Sequence, residues 1–275
     1  MHLLVVGGSG FLGREIVRQS RAAGHAVTAT FHSAAPLPPG PDWRQVDVRD
    51  RDVVTRLAED ARPDLVINAA YLQADWATTA DGATHVALAA AAVGARLVHV
   101  SSDVVFSGDA ATYDETCLPD PVSPYGAAKA AAETAVKGIA PDGIIARTSL
   151  ILGDGDSPSE KLVHAVASGS GGALFSDEIR CPVHVSDLAS ALLELAESSH
   201  HGVHHVAGAD AVSRYELGVL IARRDGLDHA TIPRALRAAS TLRGPIDVRL
   251  DSTRTQAKLR TRLRGARTFL ASDAG

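Results

Sequence analysis

Short apolar segments alternate with longer amphipathic segments along the first two thirds of the chain. The apolar segments are rich in Val, Ile and Leu and lack strict polar alternation, which is typical of strands covered on both faces. They are Leu3–Val6, Ala26–Phe31, Asp64–Asn68, Leu97–Ser101 and Ile144–Arg147. The helix-like segments between them are Gly13–Ala23, Val53–Asp60, Ala83–Val93 and Tyr125–Val136. This order predicts an α/β fold with a doubly wound parallel sheet.

The pattern loosens after about residue 150, where turn-rich segments become frequent. The clearer elements of this part are a strand at Cys181–His184, a helix at Ser186–Glu197 and a late strand at Val203–Ala207. From Arg214 onward we expect a helical, charged tail whose basic segments, near Arg234–Arg243 and Arg254–Arg267, are solvated helix faces or loops. The sequence therefore predicts a larger lobe of residues 1–150, completed by a return strand and helix at about 183–206. A smaller, discontinuous lobe would comprise residues 151–182 and 207–275.

Composition excludes several classes of protein. The 275 residues carry 27 Lys and Arg against 32 Asp and Glu, a formal net charge of −5. A mildly acidic chain without a basic run lacks the footprint of a nucleic-acid or anionic-membrane binder. The longest apolar stretches, such as Val86–Val93, have about eight residues, short of the roughly 20 that span a bilayer. We therefore expect a cytoplasmic protein that binds neither nucleic acid nor membrane.

Cysteine and histidine do not indicate a metal site. Two cysteines, Cys117 and Cys181, form neither a disulfide framework nor a metal-ligand spacing. Four histidines cluster at positions 200, 201, 204 and 205. Because alternate residues of a strand face opposite sides, they are not expected to converge on one ion. We interpret them as an exposed, partly solvated cluster and predict no metal.

A glycine-rich turn follows the first strand and opens the first helix. Gly7, Gly10 and Gly13 occur at a spacing of three. Ser9 lies just before Gly10, and Phe11 and Leu12 lie between Gly10 and Gly13. In a Rossmann dinucleotide fold the first glycine permits a tight turn, the second lets the backbone approach a pyrophosphate, and the third permits close packing of helix and strand. The helix N-terminus then offers free N–H groups to the anion. The motif predicts nucleotide binding.

The end of the second strand bears on which dinucleotide is bound. An acidic residue there would hold the free ribose hydroxyls of NAD, whereas this chain has His32 and Ser33. These side chains, with Arg14, could bind a 2′-phosphate, so NADP(H) is favoured over NAD(H). The alternative is that His32 only opens a loop. Asp47 and Val48, which close a probable third strand, are placed to meet the adenine.

A tyrosine and a lysine four positions apart form the second strong motif. Ser123 is a natural N-cap and Pro124 suits the first turn, so Tyr125 and Lys129 share one helix face. A nearby ammonium lowers the pKa of a phenol and prepares it for acid–base chemistry. An ordinary exposed Tyr/Lys pair is the alternative interpretation. What strengthens the motif is Ser102, which follows a buried strand at the sheet edge where ligands bind.

Together these motifs resemble the extended short-chain dehydrogenase/reductase family. The resemblance runs in order through residues 3–150 and includes Asn68, Ala69 and Ala70 on the fourth strand. It implies that Ser102 polarises a carbonyl, that Tyr125 exchanges the proton and that Lys129 also holds the nicotinamide ribose. It further implies that residues 68–70 line the cofactor. A supporting Asn that is common in the family is replaced here by Thr79.

Further segments resemble the dTDP-4-dehydrorhamnose reductase branch of that family. They are residues 64–70, 101–106, 147–149 and 181–188. This branch implies reduction of the 4-keto group of a nucleotide-activated deoxysugar. The chain departs from the branch where a sugar is bound, since Val104 and Leu150 replace aromatic residues and 74–76 differ. Asp103, Val104, Leu150 and Arg180 are the candidate substrate residues, and Arg180 could grip a carboxylate or diphosphate.

Three other functions stay open at this point. The chain could reduce another ketone in secondary metabolism, or act as a sugar-nucleotide epimerase that retains NAD⁺. It could also be a non-catalytic regulatory subunit that keeps a nucleotide site. The expected partner in the leading interpretation is a small carbonyl substrate, most simply a sugar nucleotide. A homodimer is one option for the assembly.

Overall fold

The computed structural model describes residues 1–33 and 38–271. Its strands are β1 His2–Val6, β2 Ala26–Phe31, β3 Asp42–Gln45, β4 Leu65–Asn68, β5 Arg96–Ser102, β6 Ala111–Tyr113, β7 Ile144–Thr148, β8 Ile151–Leu152, β9 Leu174–Phe175, β10 Ile179–Arg180, β11 Val183–His184, β12 Gly202–His205, β13 Val212–Ser213, β14 Arg234–Ala235 and β15 Val248–Leu250. Its α-helices are α1 Phe11–Ala22, α2 Arg51–Ala61, α3 Gly82–Ala92, α4 Pro124–Ile139, α5 Pro158–Ala167, α6 Val185–Glu197, α7 Arg214–Arg224, α8 Thr253–Gln256 and α9 Ala266–Phe269.

A seven-stranded parallel sheet organises the molecule. Its strand order is β12-β7-β5-β4-β1-β2-β3, so the chain moves outward from β1 in one direction, returns, and continues in the other. The crossing point between β1 and β4 is the topological switch at which open α/β sheets bind ligands. The predicted doubly wound α/β fold is confirmed.

Helices cover both faces of this sheet with aliphatic side chains. On one face α1 packs against α6 over β1 and β5, where Ile16, Leu188 and Leu192 are fully buried. On the other face α2 and α3 contribute Leu57 and Val86 to a second cluster. Fully buried aliphatic side chains each stabilise the fold by about 1.5–3 kcal/mol, so the sheet is held rigidly between its helices.

Helix starts explain much of the local structure. Asp50 caps α2 by accepting from the backbone N–H groups of Asp52 and Val53. Ser157 and Glu160 form a reciprocal capping box on α5. The N-cap of α1 is Gly10, which has no side chain, and the first turn of α1 has no acidic residue. The N–H groups at the start of α1 therefore remain available to a ligand.

Residues beyond 150 build a separate apolar cluster beside the sheet. Its buried members lie mainly on α5 and α7 and include Leu152, Val163, Leu217 and Ile221. The antiparallel pair of β10 and β13 joins Arg180 to this region. The division into two lobes with the predicted boundaries stays a prediction.

The charged tail differs in part from the expectation. As far as residue 271, it is α-helical only at Arg214–Arg224 and then in two four-residue helices, α8 and α9. Arg237 is not solvated but 8% exposed, because it donates to the carbonyl of Arg243 and lies beside Glu178. Most other basic residues of the tail, such as Arg234, Arg243 and Arg262, are exposed as expected.

The expectation of an exposed histidine cluster is wrong for two of its members. His204 and His205 are 1% and 0% exposed. Thr255 covers His204 with a hydrogen bond of 3.3 Å between Oγ1 and Nδ1, and the ring of Phe106 packs against His205.

Over the described ranges, no helix has the length and apolarity that a membrane crossing requires.

Candidate active site

A cleft of about 460 Å³ opens at the carboxyl ends of the central strands. It brings together most of the predicted site, namely Gly10, Phe11, Leu12, Gly13, Ala69, Ser102, Asp103, Val104, Tyr125, Lys129, Leu150 and Arg180. Residues from six parts of the chain thus face one volume. Gly7 and Ser9 belong to the same glycine turn but do not line the cleft.

The glycine turn is fixed by close backbone contacts. Gly7 has φ of +81°, and a Cβ there would lie 2.8 Å from the backbone nitrogen of Ala70. A Cβ on Gly13 would overlap the carbonyl oxygen of Gly7. The N–H of Gly10 donates to that same carbonyl at 3.0 Å. A side chain at position 13 would therefore force α1 away from the turn after β1, and one at position 7 would push against the turn after β4.

This turn fits the pyrophosphate of a dinucleotide. A side chain at Gly10 would meet no atom except the Gly7 oxygen, at 3.3 Å, so the turn is open toward the cleft. The uncapped N-terminus of α1 points to the same place. Free N–H groups at a helix N-terminus attract an anion. Residues 10–13 would thus hold the cofactor phosphates.

The residues predicted for the adenosine end lie outside the cleft lining. His32 and Ser33 are exposed at the end of β2, and His32 Nε2 lies 3.7 Å from Asp47 Oδ2. Arg49 binds both carboxylate oxygens of Asp47, at 2.9 and 2.6 Å, and lowers its pKa to about 2. Val48 is buried, and its carbonyl faces His85. An adenine would have to share Asp47 with Arg49.

The turn after β4 is held in place by the buried side chain of Asn68. Asn68 is buried and its Oδ1 accepts from the N–H of Ala70 at 3.1 Å, while its amide faces His99 Nδ1 at 3.3 Å. Only Ala69 of residues 68–70 reaches the cleft. Asn68 therefore supports the turn against which Gly7 packs.

Tyr125 begins α4 at the cleft wall. Ser123 caps this helix through the N–H of Gly126 at 3.1 Å, with Pro124 in the first turn as expected. Burial raises the pKa of Tyr125 well above its ordinary value, with further raising contributions from Tyr71 and Asp103, while the neighbouring Ser102 hydroxyl partly offsets them. The prediction that Lys129 lowers the pKa of Tyr125 is wrong for this state of the protein. The neutral phenol is favoured.

The reason lies in the position of Lys129. Its Nζ donates to the carbonyl of Val100 at 3.0 Å and lies 5.3 Å from the centre of the Tyr71 ring. The side chain is 3% exposed, and this burial lowers the pKa of Lys129 to about 8. The ammonium is thus desolvated at the base of the cleft.

Ser102 and Asp103 begin a short 3₁₀ helix at the end of β5. The hydroxyl of Ser102 donates to Asp103 Oδ1 at 3.2 Å. Asp103 is 4% exposed, and its Oδ2 accepts from the hydroxyl of Ser149 at 2.6 Å. These bonds hold the Ser102 hydroxyl at the wall of the cleft beside Tyr125.

A buried ionic network lies under α4. Glu133 on α4 accepts from the guanidinium of Arg147 at 2.9 and 2.8 Å and from Ser101 Oγ at 2.6 Å. Glu133 and Arg147 are each 1% exposed. A bidentate pair of this kind fixes α4 against β5 and β7.

The substrate side of the cleft combines aliphatic and charged residues. Val104 and Leu150 line it, so the side chains that replace the expected aromatic residues do face the cleft. Arg180 also lines it, but its guanidinium donates to the carbonyls of Ile179, Ile246 and Pro245 at 2.7–2.9 Å. Little of Arg180 is left for a ligand.

Among the residues of the cleft region that sequence reasoning missed are Tyr71 and Arg214. Tyr71 packs on Tyr125 with ring centres 5.8 Å apart. Thr79 is buried and bonds both backbone groups of Leu72, which fixes the loop that follows Tyr71. Arg214, at the start of α7, reaches the cleft from residues far along the chain. The position of Tyr71 directly after β4 was a usable signal, whereas Arg214 had none.

The fold and the cleft together define an extended short-chain dehydrogenase/reductase. More particularly, the chain belongs to the family described as the RmlD substrate binding domain, whose model matches residues 1–272. This confirms the predicted resemblance to the dTDP-4-dehydrorhamnose reductase branch.

Relatives of known name agree with this membership. A probable low-salt glycan biosynthesis reductase of Haloferax volcanii is 32% identical, over 86% of this chain and 85% of that protein. The dTDP-4-dehydrorhamnose reductase of Mycobacterium tuberculosis is 31% identical, over 88% and 80%. The solved dTDP-4-dehydrorhamnose reductase of Bacillus anthracis, in complex with NADP, has the same fold, with a TM-score of 0.84 and 23% identity over 98% of this chain and 96% of that one.

Two further matches bear on the alternatives. Methionine adenosyltransferase 2 subunit beta of Rattus norvegicus is 30% identical, over 80% of this chain and 71% of that protein. MoeE5, solved with UDP-glucose and NAD, shares the fold with a TM-score of 0.83 and 24% identity over 99% and 97%. A nicotinamide cofactor is common to both solved proteins, and the choice between NADP and NAD is not.

Proposed function

We propose that this protein reduces the 4-keto group of a nucleotide-activated deoxysugar, with dTDP-4-dehydrorhamnose as the leading substrate. The observation that carries the proposal is the convergence of Ser102, Tyr125 and Lys129 with the glycine turn in one cleft. A dinucleotide fold alone would support many functions. An acid, a carbonyl-binding hydroxyl and a buried lysine beside it point to carbonyl reduction.

Each residue has a distinct part in this reaction. Residues 10–13 would hold the phosphates of NADPH, and the bound nicotinamide would supply the hydride for the carbonyl carbon. Ser102 turns its hydroxyl proton from Asp103 toward the carbonyl oxygen and stabilises the charge that develops there. Tyr125, kept neutral by burial, delivers its proton to the same oxygen. Lys129 lies at the base of the cleft, where it would hold the nicotinamide ribose.

NADP(H) is the cofactor we favour. Support comes from the end of β2, where His32 and Ser33 provide no carboxylate to repel a 2′-phosphate. Arg14 on α1 is exposed beside the glycine turn and has no carboxylate within 4 Å among the described residues. We expect Arg14→Gln to raise the KM for NADPH about tenfold and to leave that for NADH unchanged, as expected for one exposed charge-assisted contact.

The test of the function is NADPH consumption with a panel of keto compounds. The panel contains dTDP-4-dehydrorhamnose, the corresponding free keto-sugar and a small aliphatic ketone. The proposal expects turnover with the sugar nucleotide at least about a hundredfold more efficient than with the others, since remote contacts raise the rate. Preference for the small ketone would overturn the assignment of a sugar-nucleotide substrate, while the assignment as a ketone reductase would still hold.

A regulatory subunit is the second candidate, because methionine adenosyltransferase 2 subunit beta is among the relatives. That function needs a nucleotide site but not an acid at Tyr125. If NADPH binds tightly and no member of the panel is reduced, this alternative is favoured. Stoichiometric release of NAD⁺ on denaturation would instead favour an epimerase.

A further inference from the structure

One cationic side chain of the cleft stands apart from the catalytic residues. Arg214 is the first residue of α7 and is only partly exposed. It enters the cleft because β13, which precedes it, pairs with β10, and because its N–H donates to the carbonyl of Glu178 at 2.9 Å. Its guanidinium has one side-chain hydrogen bond, to Ser159 Oγ at 3.4 Å.

The nearby carboxylates are committed to other arginines. Glu178 lies 3.6 Å from Arg180 through one oxygen and 3.5 Å from Arg237 through the other. Asp103 accepts from Ser102 and Ser149 and lies 3.6 Å from Arg180. Within the part of the chain that the model describes, no carboxylate lies within 4 Å of Arg214.

A partly buried guanidinium without a carboxylate is costly, because its charge is desolvated and not compensated. Burial indeed lowers the pKa of Arg214, while the nearby Glu178 acts in the opposite direction. The fork of Arg214 is therefore suited to an anion that enters the cleft, since guanidinium groups bind phosphate and carboxylate oxygens in pairs.

We infer that Arg214, rather than Arg180, binds an anionic group of the substrate and so determines which ketones this enzyme accepts. The inference deepens the proposed function and rests on it for the identity of the ligand. For a nucleotide-activated sugar the anion is the diphosphate, and for an acidic sugar it is a carboxylate. Arg180 instead ties the loop at Pro245 to the catalytic loop through Asp103.

Direct binding tests this inference without turnover. Calorimetric titrations of the NADPH-loaded protein would use dTDP, thymidine and glucuronate as probes. We expect Arg214→Gln to weaken dTDP binding about 10- to 100-fold, the usual worth of charged hydrogen bonds. Affinity for thymidine and for NADPH should not change. Arg223→Gln, an exposed change on the same helix, is the matched control and should bind dTDP like the parent.

The outcomes separate the sources of the anion. A loss confined to glucuronate supports the inference and identifies the anion as a carboxylate. If Arg214→Gln does not fold, Arg214→Lys keeps the charge without the fork, and an intermediate loss of about three- to tenfold is expected. Unchanged affinity for both anions in a folded variant overturns the inference. If Arg214→Gln weakens dTDP binding but the parent protein does not reduce dTDP-4-dehydrorhamnose, the inference stands and the proposed function does not.

Discussion

At the scale of single residues, burial sets the protonation states of the reacting groups. Tyr125 is held as a neutral phenol, and Lys129 as an ammonium that is a stronger acid than usual, with a pKa of about 8. Both shifts have desolvation as their first cause, which neither residue type nor spacing reveals. In the proposed reaction the local motif would supply the reacting atoms, and the surrounding fold would set the direction of proton transfer.

Replacing Tyr125 by Phe removes only the acidic hydroxyl. Because general acid catalysis contributes about 10²–10⁴-fold, we expect kcat for the keto-sugar to fall by that factor. The dissociation constant of NADPH, measured by fluorescence, should change less than about twofold. Tyr113→Phe is a useful control, since this buried tyrosine bonds the backbone of Gly108 and lies outside the cleft. Full activity in Tyr125→Phe would assign the proton to another group.

Lys129 predicts an alkaline limb in the pH–rate profile. Its pKa is lowered to about 8, so the ammonium is present below that pH and is lost above it. The phenol, whose pKa is raised, stays protonated over the same range. We therefore expect kcat/KM for reduction to fall tenfold per pH unit above about pH 8. The variant Lys129→Met is expected to be slow, and its pH–rate profile should lack this alkaline limb. A limb that persists in that variant would exclude Lys129 as its source.

At the scale of elements, the contact of β1 with α1 determines whether the cofactor site exists. Gly13→Ala places a methyl group on the carbonyl of Gly7, and such overpacking costs about 1–3 kcal/mol. We expect a lower midpoint of urea unfolding together with weaker NADPH binding. Gly138→Ala is the control, because that position on α4 faces open space. It should stabilise the protein by about 0.5–1 kcal/mol. Equal behaviour of the two variants would refute the packing argument.

The secondary-structure elements also show which parts of the fold and of the site could be predicted from the sequence. Apolar runs predicted β1, β2 and β7 to within one residue at each end, because buried parallel strands leave a local pattern. Arg214 could not be found in this way. It reaches the cleft only through pairing of residues 179–180 with 212–213, more than thirty positions apart. The buried histidines escaped for the same reason, since Thr255 and Phe106 cover them from distant segments.

At the scale of the whole molecule, the buried histidines make the fold sensitive to acid. Burial is the first cause that lowers the pKa of both His204 and His205 to about 4. In the unfolded chain they titrate near 6.5, so between those values the unfolded state binds more protons. The free energy of unfolding therefore falls as pH falls from about 6.5 to 4, by up to about 3 kcal/mol for each histidine.

Thermal unfolding across this pH range measures the effect. His205→Gln should have a shallower dependence of stability on pH, with one proton fewer taken up on unfolding. His201→Gln, at an exposed position of the same segment, should retain the full dependence. Identical slopes in the two variants would show that His205 is not a source of the acid sensitivity.

The central claim, hydride transfer to a sugar ketone in this cleft, is tested most directly by isotope transfer. The protein would be incubated with dTDP-4-dehydrorhamnose and NADPH that carries deuterium at the transferable position of the nicotinamide ring. The account predicts a product with one deuterium, bonded to C4 of the sugar, and the absence of this product with Tyr125→Phe over the same time. A product without deuterium at C4, or no product from the parent protein, would contradict it.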